Sequence, residues 1–213
     1  MKRLPVIVLG AGGHAKVLID MLRLSGIEIL GITDADAGKH GSIFAGLGVM
    51  GGDDMVLAHK PDHVRLVNGV GSTRLPQARR TLFERFKQHG YVFQSIIHPV
   101  AVVAGDVELG EGVNVMAGAV IQPGSRIGAN AIVNTAASVD HDCVIGAHVH
   151  LAPGVTLSGG VQIGDATHVG TGACVIQGVA IGENCVIGAG AVVLTDIPSG
   201  ARAAGVPARR MET

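Results

Sequence analysis

The sequence predicts two unlike parts: a small α/β unit over residues 1–94 and a three-sided parallel β-solenoid over residues 95–198, followed by a short tail at 199–213. Three observations carry this reading. Stepping by six from Ile97 gives Val103, Leu109, Val115, Ile121 and so on to Val193, seventeen aliphatic residues with no break in register. A second period of eighteen residues appears in Leu109-Gly110, Ile127-Gly128, Ile145-Gly146, Ile163-Gly164 and Ile181-Gly182. Before residue 95, apolar runs of strand length alternate with stretches of helical spacing, the pattern of a parallel α/β sheet.

Met1-Lys2-Arg3 precedes an apolar run that meets Gly10 too soon for a signal peptide or a membrane span. Val6-Ile7-Val8-Leu9 reads as a short buried strand, and Gly10-Ala11-Gly12-Gly13-His14 as a turn. Ala15 to Leu24 has helical apolar spacing at Val17, Leu18, Met21 and Leu22, stopped by Ser25-Gly26. Ile29 to Thr33 is a second strand that ends at Asp34. Gly46 to Gly52 reads as a glycine-rich link. Asp53 is placed to cap a short helix to about Lys60, and His63 to Val70 is a third strand. Ser72 or Thr73 is placed to cap a helix from Arg74 to His89, and Tyr91 to Ile97 leads into the repeats.

The first turn carries a degenerate phosphate fingerprint: Gly10, Gly12, then Ala15 where a third glycine often sits, with Asp34 at the end of the next strand. Glycines let backbone N–H groups approach a diphosphate, and the helix N-terminus favours its charge. Two readings stay open at this point: a tight strand-to-helix turn with no ligand, and an NAD site. The unit is only about half a full dinucleotide-binding fold.

In the repeats, the fifth residue of each hexad is small or β-branched, from Ala101 and Val107 to Cys185, Ala191 and Ile197. Such repeats bury their apolar faces by stacking. Eighteen residues make three hexads, so each coil has three sides. A further small-residue column runs through Gly118, Ala136, Gly154, Gly172 and Gly190. Glycine belongs where a corner needs an unusual backbone angle or a close approach. Stacked at the strand spacing, the coils give a prism roughly 27 Å tall.

The chain has a net charge of −1, one Tyr, four Phe and no Trp. That balance points away from nucleic acid and anionic membranes. The aromatic poverty suits a solenoid filled by Val, Ile and Ala. The positive mean hydropathy implies buried subunit faces besides the interior. Cys143, Cys174 and Cys185 lie inside repeats and read as reduced packing residues of a cytoplasmic protein.

The repeats resemble the left-handed parallel β-helix of the hexapeptide-repeat acyltransferases; the left hand is what the resemblance implies. The whole chain resembles the bacterial sugar acetyltransferases, which include sialic acid O-acetyltransferase-like enzymes and the nucleotide amino-sugar N-acetyltransferases of the bacillosamine and perosamine pathways. The residues that carry it are Gly10-Ala11-Gly12-Gly13-His14, Leu47-Gly48-Val49-Met50-Gly51-Gly52, Asn134, Val139-Asp140-His141-Asp142-Cys143 and the tail Gly205-Val206-Pro207-Ala208-Arg209-Arg210-Met211.

The resemblance implies a general base at His141 and an acid at Asp142 that raises its basicity. Asp142 is one carbon shorter than the Glu of some members, and Asp140 can compete for the same ring. Stacking places Pro123 below His141 and Gly159 above, leaving room for two substrates. The Gly159 N–H can donate to an oxyanion formed from acetyl-CoA. The resemblance also matches Gly12, Gly13, His14, Asp34 and Gly71 to a nucleotide-sugar pocket, Asn134 to the sugar's reacting group, and His150, Thr171 and Ala189 to acetyl-CoA contacts. His168, one coil above His150, reads as an ordinary exposed residue.

The expected function is therefore transfer of acetyl from acetyl-CoA, without a metal, to an amino group of a nucleotide-activated sugar in glycan biosynthesis. The expected assembly is a homotrimer with no nucleic-acid partner and no membrane insertion. Alternatives are a sugar O-acetyltransferase, an NAD-binding protein, a zinc carbonic anhydrase-like hydrolyase and a non-catalytic scaffold. The zinc reading needs three converging histidines, and a resemblance to those enzymes would require a His pair five residues apart. His141, His148, His150 and His168 are separated by seven, two and eighteen residues.

Overall fold

The computed structural model describes residues 4–72 and 75–211. The Met1-Lys2-Arg3 start, the Thr73 cap, the Arg74 helix start and the tail's last two residues lie outside the described residues.

Strand β1 (Val6–Leu9) is buried throughout and lies between β2 (Ile29–Thr33) and β5 (Arg65–Asn68), parallel to both. Between β1 and β2 runs α1 (Gly13–Leu24). The sheet continues outward through β4 (Leu47–Gly51), parallel to β2, and β3 (Ile43–Phe44), antiparallel to β4. Helix α2 (Gln77–Gln88) follows β5.

Four sequence expectations shift here. The Gly46–Gly52 link is mostly strand. Ala45 and Gly46 both have positive φ, at 50° and 76°, and make the two-residue turn that joins β3 to β4. Gly31 on β2 leaves the space in which Met50 packs, since a Cβ there would lie 2.7 Å from the Met50 sulfur. The segment led by Asp53 is a 3-10 helix, Asp53–Ala58, whose cap position is Gly52. Asp53 instead accepts the Thr33 hydroxyl at 2.6 Å. Helix α2 starts after Pro76 rather than at residue 74, because a residue before proline avoids the helical region. On α1 the buried stripe is Ala15, Leu18, Ile19, Met21 and Leu22, while Val17 is exposed.

From Phe93, which bridges to Leu66 of β5, the chain enters the solenoid. Over the repeats its strands are two residues long and stack in parallel on three faces, with six, five and six strands to a face. Register is eighteen residues through the repeats, where Ile121 pairs with Val139, Ile127 with Ile145 and Val133 with Leu151, and it shortens to sixteen at the end, where Ile181 pairs with Ile197 and Val186 with Arg202. This is a left-handed parallel β-helix. Its interior takes the stepped aliphatic residues together with the small fifth-position ones, among them Ala119, Ala137, Cys143 and Ala191. Residues Arg202–Ala204, in parallel, and Arg209–Arg210, antiparallel, extend the third face into an eight-stranded sheet.

The two glycine columns do different work. Gly118, Ala136, Gly154, Gly172 and Gly190 all have positive φ, as do the other two corner columns, which contain Asn130, Asp142 and His148. Gly110, Gly128, Gly146, Gly164 and Gly182 do not. A Cβ on Gly128 would lie 2.5 Å from backbone atoms of Gly146 and Ala147, so this column permits close approach of successive coils.

The small unit docks on the eight-stranded face. Ile96, Met116 and Ile132 join the core of α1, β1 and β2, and Ala129 packs with Phe83 and Phe93.

Ala136 sits in the left-handed region at φ 55°, which costs an L-residue about 1–2 kcal/mol and glycine almost nothing. Ala136→Gly is expected to stabilise the protein by about 1 kcal/mol once glycine's freedom in the unfolded chain is deducted. Gly128→Ala is expected to destabilise it, by several kcal/mol if the backbone contact cannot relax. Thermal melts of both against the wild type check the signs; the same sign for both would refute this account of the columns.

Candidate active site

A cavity of about 590 Å³ lies where the small unit meets the coil. Gly12, Gly13, His14, Asp34, Gly71, Asn134 and His150 all line it, with Lys39, Ser72 and Met116. A Cβ added at Gly12 or Gly13 would meet nothing within 4 Å. What these glycines leave open is the start of α1, which has no side-chain cap and no acidic residue in its first turn. Its first N–H groups are therefore available to an anion.

Asp34 is buried and ties this turn together. Its Oδ2 accepts from Ala11 N at 2.6 Å and from Lys39 Nζ at 3.0 Å, and its Oδ1 accepts from Asp36 N at 2.9 Å. Burial alone would raise its pKa, but the Asp36 and Ala11 N–H groups and Lys39 together bring it below the ordinary value. Both oxygens are engaged with the protein's own loop.

His14 points its Nε2 at Asn114 Oδ1, 3.4 Å away. Burial, then the charge of Arg79 and the neighbouring His150, push its pKa down to about 3, so it is neutral. His150 is also held to about 3, by burial first and then by His168 and Arg79. Its tautomer follows from its partners. Thr135 N–H donates to Asn134 Oδ1 at 2.8 Å, which turns the Asn134 amide N–H toward His150 Nε2 at 3.1 Å. Nε2 is thus an acceptor, and Nδ1 carries the proton, facing Ser72 O at 2.9 Å. Ser72 is therefore a partner of His150 and not a helix cap.

Ser72 and His150 also line a second cavity of about 420 Å³, which continues up the eight-stranded face. Thr171 and Ala189 line it with Gly170, Gly188 and Pro153. His168 lines it too and is 7% exposed, which corrects the expectation of an exposed residue. A helical or globular surface would have exposed it; here the ring lies edge-on against His150, 4.9 Å between centroids. Its Nδ1 has no hydrogen-bond partner among the described residues.

His141 and Asp142 line neither cavity. They stand on another corner, with side chains 62% and 72% exposed. Asp142 Oδ2 lies 2.8 Å from His141 Nδ1, while Asp140 Oδ1 accepts from the His141 backbone N–H at 2.8 Å. The structure thus divides the roles of the two acids, and the shorter Asp142 does reach. Its hydrogen bond is the main cause that raises the His141 pKa, with the Asp140 charge next. With the Nδ1 proton held by Asp142, Nε2 is the basic nitrogen. A Cβ on Gly159 would lie 2.6 Å from that Nε2, so the ring lies directly over Gly159.

A third depression, about 640 Å³, lies on the five-stranded face beside Asp165, Glu183 and Asp196, and none of the candidate catalytic or ligand-binding residues named from the sequence lines it. Among the described residues, no three His, Cys, Asp or Glu side chains converge as a metal would require, and no helix is long and apolar enough to cross a membrane.

This arrangement has close counterparts. PerB of Caulobacter crescentus, solved with CoA and GDP-perosamine, is 42% identical, with 98% of this chain and 97% of that one aligned at a TM-score of 0.91. The chain belongs to the hexapeptide-repeat sugar acetyltransferases. A histidine-to-asparagine variant of perosamine N-acetyltransferase from the same organism, with the same two ligands, aligns at 41% identity over 98% and 97% of the two chains, TM-score 0.92. The acetyltransferase domain of PglB from Neisseria gonorrhoeae, solved with acetyl coenzyme A, aligns at 38% identity over 99% and 100%, TM-score 0.90. Residues 5–86 match the family described as the PglD N-terminal domain, and residues 160–195 match the bacterial transferase hexapeptide (six repeats). No curated protein matches the chain by sequence.

The histidines of this acetyltransferase separate cleanly by environment. In an NMR titration His141 is expected to titrate above the ordinary histidine value, and His14 and His150 to stay neutral down to about pH 3. Asp142→Ala removes the main cause and should move the His141 midpoint down. An unmoved midpoint would show that the Asp142 hydrogen bond does not form in solution.

Proposed function

We propose that this sugar N-acetyltransferase carries acetyl from acetyl-CoA to the amino group of a nucleotide-activated sugar, with His141 as general base. The observation that carries the reading is the wall shared by the two cavities. Ser72 and His150 belong to both, so a ligand seated at the α1 N-terminus and one lying along the eight-stranded face meet there. The first cavity suits a nucleotide diphosphate and the second a thioester carrier. PerB holds CoA and GDP-perosamine, one ligand of each kind.

In this mechanism residues 1–94 hold the nucleotide, residues 95–198 bind acetyl-CoA and perform the transfer, and 199–213 is a C-terminal tail whose strands Arg202–Ala204 and Arg209–Arg210 cover the end of the coil. Asn134 positions the sugar amine. His150, Thr171 and Ala189 line the path of acetyl-CoA. The amine nitrogen attacks the thioester carbon and loses a proton to His141 Nε2. Asp142 holds the Nδ1 proton and steadies the imidazolium. The Gly159 N–H donates to the oxyanion. The C–S bond then breaks, and the proton on Nε2 goes to the departing thiolate of CoA. Cys143 plays no covalent part: it is buried, donates to Ser158 O at 3.3 Å, and burial raises its pKa. Three free thiols fit a reducing cytoplasm.

His141 reaches the cavities only if a second copy brings it there. The outward residues of the six-stranded face, Val102, Val120, Ser138, Thr156, Cys174 and Val192, carry no charge. That face joins the corner of Asn134 to the corner of His141. Closing three chains along it would set each His141 against a neighbour's cavities.

Light scattering is expected to give three times the 21.6 kDa chain mass; a stable monomer at micromolar concentration with full activity would refute the shared site. His141→Ala is expected to lower kcat by about 10²–10⁴ with the assembly and fold unchanged. Retention of more than about half of wild-type kcat would place the base elsewhere.

A further inference from the structure

At the junction of the small sheet and the coil lies a cation that, among the described residues, no carboxylate balances. Arg79, on α2, is 1% exposed. Each of its hydrogen bonds ends on a neutral acceptor. Nε donates to Asn130 O at 3.1 Å, one terminal nitrogen to Asn68 O at 2.6 Å and Val70 O at 3.0 Å, and the other to Asn114 Oδ1 at 3.0 Å. Burial lowers its pKa to about 9, which leaves it charged at neutral pH. A buried guanidinium without a counter-charge is costly, and a fold that only needed filling could use an apolar residue there.

The groups that Arg79 holds are walls of the first cavity. Val70 lines that cavity, and Asn114 takes the hydrogen bond of His14, which lines it as well. The charge is felt there: after burial, Arg79 is the largest influence on His14, and it also acts on His150. The other charges at the cavity cancel. Lys39 is paired with Asp34 at 3.0 Å, and His14 and His150 are neutral. Among the described residues, Arg79 and the open start of α1 are what remains to attract an anion.

We propose that Arg79 is a positioning residue of the nucleotide cavity whose unpaired charge is balanced by the diphosphate of the bound ligand. This rests on the nucleotide-sugar reading given above. Its guanidinium fixes the Asn68–Val70 wall and Asn114 before the ligand arrives. Its charge makes the cavity select for a diphosphate over an uncharged sugar.

The test reads binding of GDP and of UDP, and separately of CoA, by calorimetry at pH 8, where His14 stays neutral. Asn114→Asp places a carboxylate where the amide oxygen stands 3.0 Å from the guanidinium, and so cancels the charge with little change of shape. It is expected to weaken nucleoside diphosphate binding about tenfold and to leave CoA binding within about twofold. Arg79→Met should do the same, and Arg79→Lys should recover part of the loss. If Arg79→Met fails to fold, Asn114→Asp carries the test, because it keeps the arginine. Folded variants that bind the nucleotide as the wild type does would reduce Arg79 to a structural role and overturn the proposal. If neither GDP nor UDP binds the wild-type protein, the nucleotide-sugar reading itself falls, a result distinct from unchanged binding in the variants.

Discussion

The constraint on which the rest depends is the eighteen-residue register of the coil. Backbone groups of one turn bond to the next along three sheets, and no strand is longer than two residues over the repeats, so each strand holds little by itself. Stability comes from continuity, each coil burying the apolar face of the one beside it. The same register brings distant residues into contact. It sets His141 over Gly159 and His150 against His168, in each case because eighteen residues separate them.

The second organising feature is the polar junction between the small sheet and the coil. Asn68, Asn114 and Asn130 are buried and converge on Arg79, and Asn130 also reaches His148 Nδ1 at 2.9 Å. Apolar contacts hold the two units together, as Met116 and Ile132 against α1 show. The polar groups add direction. A network whose members are satisfied fixes one relative placement, where greasy surfaces alone would allow sliding. The wall shared by Ser72 and His150 requires that fixity.

Much of this was legible in the sequence, and the reasons for the gaps are physical. The period of six exposed the coil, since a solenoid repeats its local environment. The cavity residues Gly12, Gly13, His14, Asp34, Gly71 and Asn134 followed from the turn and the family resemblance. The strand at Leu47–Gly51 was hidden because its glycines erase the alternation that marks strands; Gly51 makes room for Met55, as Gly31 on the neighbouring strand does for Met50, rather than loosening the chain. Arg79 and Asn114 gave no signal. An arginine on a helix normally faces water, and only the meeting of two units, invisible in either segment alone, buries it. His168 was misread for a related cause: its face of the coil is covered by what stacks beside it. Ser72 looked like a cap until Pro76 delayed the helix.

Asp142 adopts a left-handed backbone, φ 58°, at a corner where most coils place glycine. Asp, Asn and His tolerate that conformation better than other side chains. The residues that a bend admits are thus also residues that accept protons, donate hydrogen bonds or bind ions. A chain of this architecture can acquire chemistry at a bend by replacing one glycine, with every strand pairing left as it was. Diversification then proceeds along the edges of the prism while its faces stay fixed, which separates the history of the activity from the history of the fold.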